Sequence, residues 1–306
     1  SREDSPVQRG LAADLVVAAT GRSGRAPVWL RTMGYPAPAE EEVAVDLRYV
    51  TQRVRFPSGS VESRVGVVIG GSAQRPTGCF AFAQEGGQWI VTFQGYAAHH
   101  PPLDREAWLA FGDTFLPSDF AEALHEAEPL EDLHQHRFMA SLRRHYEELS
   151  RFPDGLLVTG DALCSFNPVY GQGMTVAALE ADALRSALRR GDEDLARRFF
   201  RAASKPVGDA WRLAVGGDLA LPPEIVPGPR PLPVRAINSY VDRFQAAAET
   251  DPVMAWRFFD VMGFEQPSSA LFAPDSLRRL ASDSRHRRTG SASELATAAA
   301  KGWTWP

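Results

Sequence analysis

Leu156-Leu157-Val158-Thr159-Gly160-Asp161-Ala162-Leu163-Cys164-Ser165-Phe166-Asn167-Pro168-Val169-Tyr170-Gly171-Gln172-Gly173-Met174-Thr175-Val176 is the stretch from which the fold is read. Leu156 to Val158 is a short apolar run between turn residues, which predicts a strand buried on both faces. From Thr175 the spacing turns helical. Val176, Leu179, Ala183 and Ala187 form one stripe, and Gly191 sits where a glycine would stop the helix. Between strand and helix, Pro168 fixes the chain direction, while Gly171 and Gly173 let backbone approach a ligand with no side chain in the way. Amides at a helix start lack intrahelical partners and carry partial positive charge. Asp161, at the carboxyl end of the strand, is an acceptor suited to ligand hydroxyls. Together they suit a ligand with a polyol and an electron-accepting group. A plain strand-to-helix turn needs fewer special residues than this.

Gly160-Asp161-Ala162, Asn167-Pro168 and Gly171-Gln172-Gly173-Met174 together resemble the second flavin-binding motif of the single-component FAD-dependent monooxygenases. That group includes aromatic hydroxylases, squalene-epoxidase-like enzymes and geranylgeranyl-reductase-like enzymes. The resemblance implies that Asp161 meets the ribityl hydroxyls, with Gly160 beside it as a further cofactor-binding residue. It also implies that Pro168, Gly171, Gln172, Gly173 and Met174 lie beside the pyrimidine end of the isoalloxazine ring. Nearer the start, Asp14 to Thr20 reads as a buried strand and Gly21-Arg22-Ser23-Gly24-Arg25 as its turn. Thr20, Gly21 and Arg22 match a second family segment that approaches the cofactor and, in some members, NAD(P)H. Ala18 and Ser23-Gly24 depart from that segment's usual Asp and Gly-Ser. A nucleophile elbow is the rival reading of this turn, and it fails because Arg25 stands where G-x-S-x-G needs its second glycine.

Between these segments the texture is β. Val43, Val45, Leu47 and Tyr49 alternate with other residues in a strand running toward Phe56, and Val61 to Ile69 forms a second such segment. Cys79 to Ala83 and Trp89 to Phe93 flank Glu85-Gly86-Gly87, a hairpin signature. Helices are predicted over 104–113 and 118–127, with Asp104 and Ser118 as N-caps. Leu130 to Ala140 reads as a returning strand that puts His134 and His136 on one face, without the further ligands a metal needs. Arg143-Arg144-His145-Tyr146 reads as a solvated helical face rather than an anion site, with Arg143 and His145 as the side chains that could reach the mouth of a ligand cavity. Beyond the opening motif, Pro206 is expected to interrupt a helix that starts at Asp192-Glu193-Asp194, and a proline-rich connector spans 221–234. Helical patterns resume at 237–248, 252–262 and 274–281. From Asp283 the chain, with Arg285, Arg287 and Arg288, reads as a disordered tail, and residues 1–10 are polar and read as loose.

These observations predict an α/β (α+β) chain: a partial FAD-binding doubly wound domain, an inserted antiparallel-sheet substrate domain and C-terminal helices. The expected segments are 1–42 and 152–218 for the flavin domain, 43–151 for the sheet, 219–282 for the connector and helices, and 283–306 for the tail. Within 306 residues and a net charge of −5, nothing points to nucleic acid or an anionic membrane. Cys79 and Cys164 are too few and too far apart for a disulfide framework, which fits a cytoplasmic setting, and no apolar run is long enough to span a bilayer. G-x-G-x-x-G is absent; after Gly171 and Gly173 the third position is Val176. The resemblance therefore implies the flavin end of an FAD site without its adenine end, the dinucleotide-binding unit being lost by truncation of the gene, supplied by another chain or removed by processing.

The activity so implied is that of an FAD-dependent monooxygenase, with NAD(P)H as electron donor. It would hydroxylate or epoxidise an apolar or aromatic small molecule by way of a flavin hydroperoxide. The spacing implies no catalytic acid or base. A reductase on the same scaffold and a non-catalytic binding or dimerising domain are the alternative readings.

Overall fold

The computed structural model of the chain describes residues 10–61 and 64–289. In chain order the elements begin with β1 (Val16–Ala18), α1 (Ala26–Thr32), β2 (Glu40–Arg55), β3 (Gly66–Ile69), β4 (Thr77–Ala83) and β5 (Trp89–Tyr96). There follow α2 (Arg105–Asp113), α3 (Ser118–Glu126), β6 (Glu128–Pro129), β7 (His134–Arg144), β8 (Leu156–Val158) and β9 (Cys164–Ser165). Five helices complete the described chain: α4 (Gly173–Leu188), α5 (Leu195–Asp218), α6 (Leu232–Ala248), α7 (Pro252–Met262) and α8 (Pro274–Thr289). Two units divide them. The first comprises residues up to Glu41, Leu142–Phe166 and Gly173–Ala210, and the second Glu42–Ser141, Asn167–Gln172 and Trp211 onward.

The first unit is built on two parallel strands. β1 lies beside β8 with Val16 opposite Leu156 and Ala18 opposite Val158. Leu157 and Val158 are buried, as the continuous apolar run predicts. An aromatic group closes this unit's interior: Tyr146 stacks on Phe200 at 5.3 Å, and Phe152 meets the same ring edge-on at 5.0 Å. The loop Gly191-Asp192-Glu193-Asp194 carries Asp194 at φ 52°, and α5 then runs without a break through Pro206. The expected interruption is overridden because Phe199, Phe200, Ala203, Val207 and Ala210 keep one buried stripe across the proline. Burial of that face outweighs the single backbone hydrogen bond a proline removes.

In the second unit an antiparallel sheet runs β3-β4-β5-β2-β7, with β6 beside the end of β2. The predicted hairpin forms: Ala83 pairs with Trp89, and Gly86 and Gly87 turn the chain at φ 70° and 68°. Along β2 the buried side changes. Val45, Leu47 and Tyr49 face one core with Leu221 and Val226, whereas Val50 and Val54 face another with α2 and α3. Both faces of the sheet are therefore covered. Asp104 caps α2 by accepting from the Ala107 amide at 2.9 Å. Pro117, not Ser118, occupies the cap position of α3, because the proline fixes the extended backbone there and Ser118 becomes the first helical residue.

α6, α7 and the 3-10 turn at Ser268–Phe272 pack around Phe244, Met254 and Leu271. α8 continues through Arg285, Arg287 and Arg288 to Thr289, where composition alone reads as tail. The rest of that predicted tail, and residues 1–9, lie outside the described residues. Among those residues no helix is long and apolar enough to cross a membrane.

Candidate functional site

Parallel pairing of β1 with β8 brings their carboxyl ends side by side, and the two predicted turns leave from those ends. The Thr159 amide donates to the Ala18 carbonyl at 3.2 Å, so Thr20-Gly21-Arg22 and Gly160-Asp161 start from one edge. Gly21 turns at φ 72° and Gly160 at φ 65°, conformations a Cβ would strain. Around each of the two there is open space where a side chain would be. The turn after β1 is packed tightly on its other side. A Cβ on Gly24 would lie 2.4 Å from Thr20 Oγ1 and 3.3 Å from Ala162 Cβ.

Arg144 clips the two turns together. Its guanidinium donates to the Arg22 carbonyl at 3.2 Å and to the Ala162 carbonyl at 3.0 Å, and its Nε pairs with Glu40 at 2.9 Å. Read from sequence as a solvated helical face, this residue sits instead at the end of β7 with its side chain buried. The difference has a physical reason. A planar fork of donors can satisfy several carbonyls at once, which makes burial of an arginine tolerable.

A second carboxylate anchors the turn from the helix side. Glu180 of α4 is buried, and its Oε2 accepts from Thr159 Oγ1 at 2.5 Å and from the Gly160 amide at 2.6 Å. Burial pushes its pKa up, the two donors pull it down, and Asp161 raises it further. Asp161 itself stays exposed at the strand end. Desolvation there raises its carboxyl pKa, and the Arg22 guanidinium works in the opposite direction. α4 begins at Gly173, whose Cβ position is open, and Met174 is 87% exposed. No acidic side chain occupies the helix's first turn. Thr20, Gly21, Arg22, Gly160, Asp161, Gly173 and Met174 thus belong to the first unit, the first five of them on adjoining turns.

Pro168, Gly171 and Gln172 belong to the second unit. Asn167 accepts from the Val169 amide at 3.1 Å and starts a 3-10 turn over Pro168–Tyr170. Gly171 follows at φ 67°, with open space at its Cβ position. The Gln172 side chain turns inward and donates to the Met262 carbonyl at 3.2 Å, and the residue is buried.

No protein-family model matches the chain. Over 259 residues it is 39% identical to Protein Rv3254 of Mycobacterium tuberculosis, an alignment covering 83% of this chain and 54% of that protein. The chain thus spans about half the length of the curated relative it matches. Among solved structures it is similar to the flavin-dependent brominase Bmp2, with a TM-score of 0.56 at 12% identity over 92% of this chain and 66% of that one. A triple mutant of the same brominase gives 0.54 at 13% identity, over 91% of this chain and 64% of the other. At such identity the likeness is one of fold. The chain shares the mixed α/β fold of that brominase, with an antiparallel sheet and eight α-helices among the described residues.

Sequence reasoning missed Arg144, Glu180 and Asn167 as parts of this machinery. Asn167 was legible in part, since it opens the loop before a proline and asparagine caps such turns. Arg144 and Glu180 carry no local signal. Each acts on a turn distant in sequence, and only the parallel pairing of β1 and β8 reveals the need for them. His134 and His136 share a face and are both exposed. No group of three metal-ligating side chains occurs among the described residues.

Proposed function

We propose that this chain carries the flavin end of the FAD site of an oxidoreductase, most specifically a monooxygenase acting on an apolar or aromatic small molecule. One observation carries the reading: two glycine turns leave adjacent parallel strands, are clipped by Arg144, and leave the Asp161 carboxylate exposed beside open backbone. The residues present fit the group. Asp161 would accept from ribityl hydroxyls, while Thr20, Gly21, Arg22 and Gly160 offer backbone without obstruction. Gly173 and Met174 begin α4, whose amides would favour negative charge by about 0.3–1 kcal/mol when exposed and up to about 2 kcal/mol when shielded. Pro168, Gly171 and Gln172 are proposed as flavin contacts on the strength of their motif. When bound, FAD would supply the redox chemistry, with NAD(P)H as the proposed donor of electrons. The chain's own part is to bind, orient and shield.

The adenine half is proposed to come from a dinucleotide-binding unit outside these residues, in the same or a second polypeptide. β1 supports this. Val16 is 49% and Val17 38% exposed on a two-stranded parallel sheet, whereas parallel strands are ordinarily covered on both faces. A cytoplasmic setting accords with two unpaired, buried cysteines.

Asp161→Ala is expected to weaken FAD binding about 10- to 100-fold, the loss of charge-assisted hydrogen bonds to hydroxyls. Fluorescence titration of the two proteins with FAD measures it. Equal affinities would remove Asp161 from the site.

A further inference from the structure

Beneath the Pro168–Gln172 loop, the second unit buries a polar group that the reading above leaves unused. Asp218, the last residue of α5, is 0% exposed. Its Oδ1 accepts from Asn167 Nδ2 at 2.7 Å and from the Tyr170 hydroxyl at 3.0 Å. Oδ2 accepts no hydrogen bond among the described residues. Asn167 has every valence engaged. Its Nδ2 also donates to the Tyr96 hydroxyl at 3.0 Å, and its Oδ1 accepts from the Tyr49 hydroxyl at 3.2 Å and the Val169 amide at 3.1 Å. Its own amide donates to Ser141 Oγ at 3.2 Å. Tyr170 reaches Asp218 because residue 217 is glycine; a Cβ there would stand 2.3 Å from the Tyr170 hydroxyl.

We propose that Asp218 is a positioning residue: through Asn167 and Tyr170 it holds the Pro168–Gln172 loop in the shape that presents the Gly171 backbone to a flavin. The proposal rests on the flavin reading above for what the loop serves. The loop has few other restraints. Pro168 and Gly171 carry no polar side chain, and Val169 and Tyr170 fold back onto Asn167. With both its donors and both its acceptors matched, Asn167 can take only one amide orientation, and Asp218 is the acceptor that fixes it.

Asp218 also makes the latch sensitive to protonation. The ionisable groups facing it are Tyr170 from the loop, Tyr96 from β5 and Tyr49 from β2, and among the described residues no ion pair of Asp218 with a cation occurs. Burial pushes its carboxyl up to about 6, against the donors Asn167 and Tyr170 that lower it. Opening the loop would rehydrate the carboxylate, so opening becomes easier as pH rises through that value.

The test is amide exchange of the chain without flavin, read by mass spectrometry in the segment holding Val169, Tyr170 and Gly171. Corrected for intrinsic rates, exchange in the natural protein is expected to accelerate about tenfold between pH 5 and pH 8. Asp218→Asn keeps an acceptor toward Asn167 and Tyr170, so it should retain protection and lose the acceleration. Asp218→Ala should exchange about tenfold faster than the natural protein at pH 5 and show no further acceleration at pH 8, while the β4 and β5 amides stay as protected as before. Gly217→Ala, which displaces Tyr170, should loosen the same segment and serves where Asp218→Ala fails to fold. Equal exchange in all variants, or the same pH response in Asp218→Asn, would overturn the proposal. So would an FAD affinity unchanged in a variant whose loop has loosened. Failure of the natural chain to bind FAD would instead sink the flavin reading and leave the exchange result standing.

Discussion

Arg144→Ala is expected to destabilise the first unit by about 3 kcal/mol and to weaken flavin binding with it. The side chain makes charge-assisted hydrogen bonds to the Arg22 and Ala162 carbonyls and pairs with Glu40. Removing it leaves two carbonyls short of a donor, at about 1–3 kcal/mol for each that stays buried, and opens space behind both turns. Glu40 adds little, because it is half exposed and can be hydrated. Arg144→Lys should recover less than half of the loss, since one ammonium cannot span three acceptors in the plane of a guanidinium. Denaturant unfolding, followed by exchange of the β1 and β8 amides, measures the effect. A loss under about 1 kcal/mol would show that the two turns hold together without the clip.

Asp218→Asn is expected to stabilise the protein at neutral and alkaline pH, an unusual sign for a substitution in a buried hydrogen-bond network. The carboxyl sits at about 6 in the folded chain against an ordinary 3.8. Between those values the folded state binds more protons than the unfolded one, so stability falls as pH rises across the window. A difference of about two pKa units corresponds to a penalty of about 3 kcal/mol, complete above about pH 7 and absent below about pH 4. Asparagine carries no such penalty and keeps an acceptor for Asn167 and Tyr170. Unfolding free energies from pH 4 to 8 should therefore diverge between the two proteins, with the variant the more stable at the top of the range. Parallel curves would mean that Asp218 is not held in a state that disfavours its charge.

Much of this fold is legible in the sequence. Leu156 to Val158 announces a parallel strand because a run buried on both faces needs no alternation. Glu85-Gly86-Gly87 announces its hairpin through residues that tolerate positive φ. Legibility failed where one energy term overruled another. Pro206 breaks helices in general, but here a buried stripe continues past it. Four consecutive charged or hydrogen-bonding residues at 143–146 resemble a wet surface, until the strand pairing shows where Arg144 points. The candidate site divides in the same way. Gly160, Asp161 and Gly171 follow from local turn chemistry, whereas Glu180, Asp218 and Arg144 act across the sequence and leave no periodic trace. Buried polar groups of this kind are set by the partners they must satisfy, and those partners are known only once the chain is folded.

The central claim is that the turns after β1 and β8 receive the ribityl and isoalloxazine end of FAD. Riboflavin contains that end and nothing of the adenine half, so the most direct measurement is fluorescence titration of riboflavin with the purified chain, in the presence and absence of ADP. The account predicts saturable quenching that ADP does not compete away and that Asp161→Ala weakens about tenfold or more. Absence of quenching, or quenching that Asp161→Ala leaves unchanged, would contradict it.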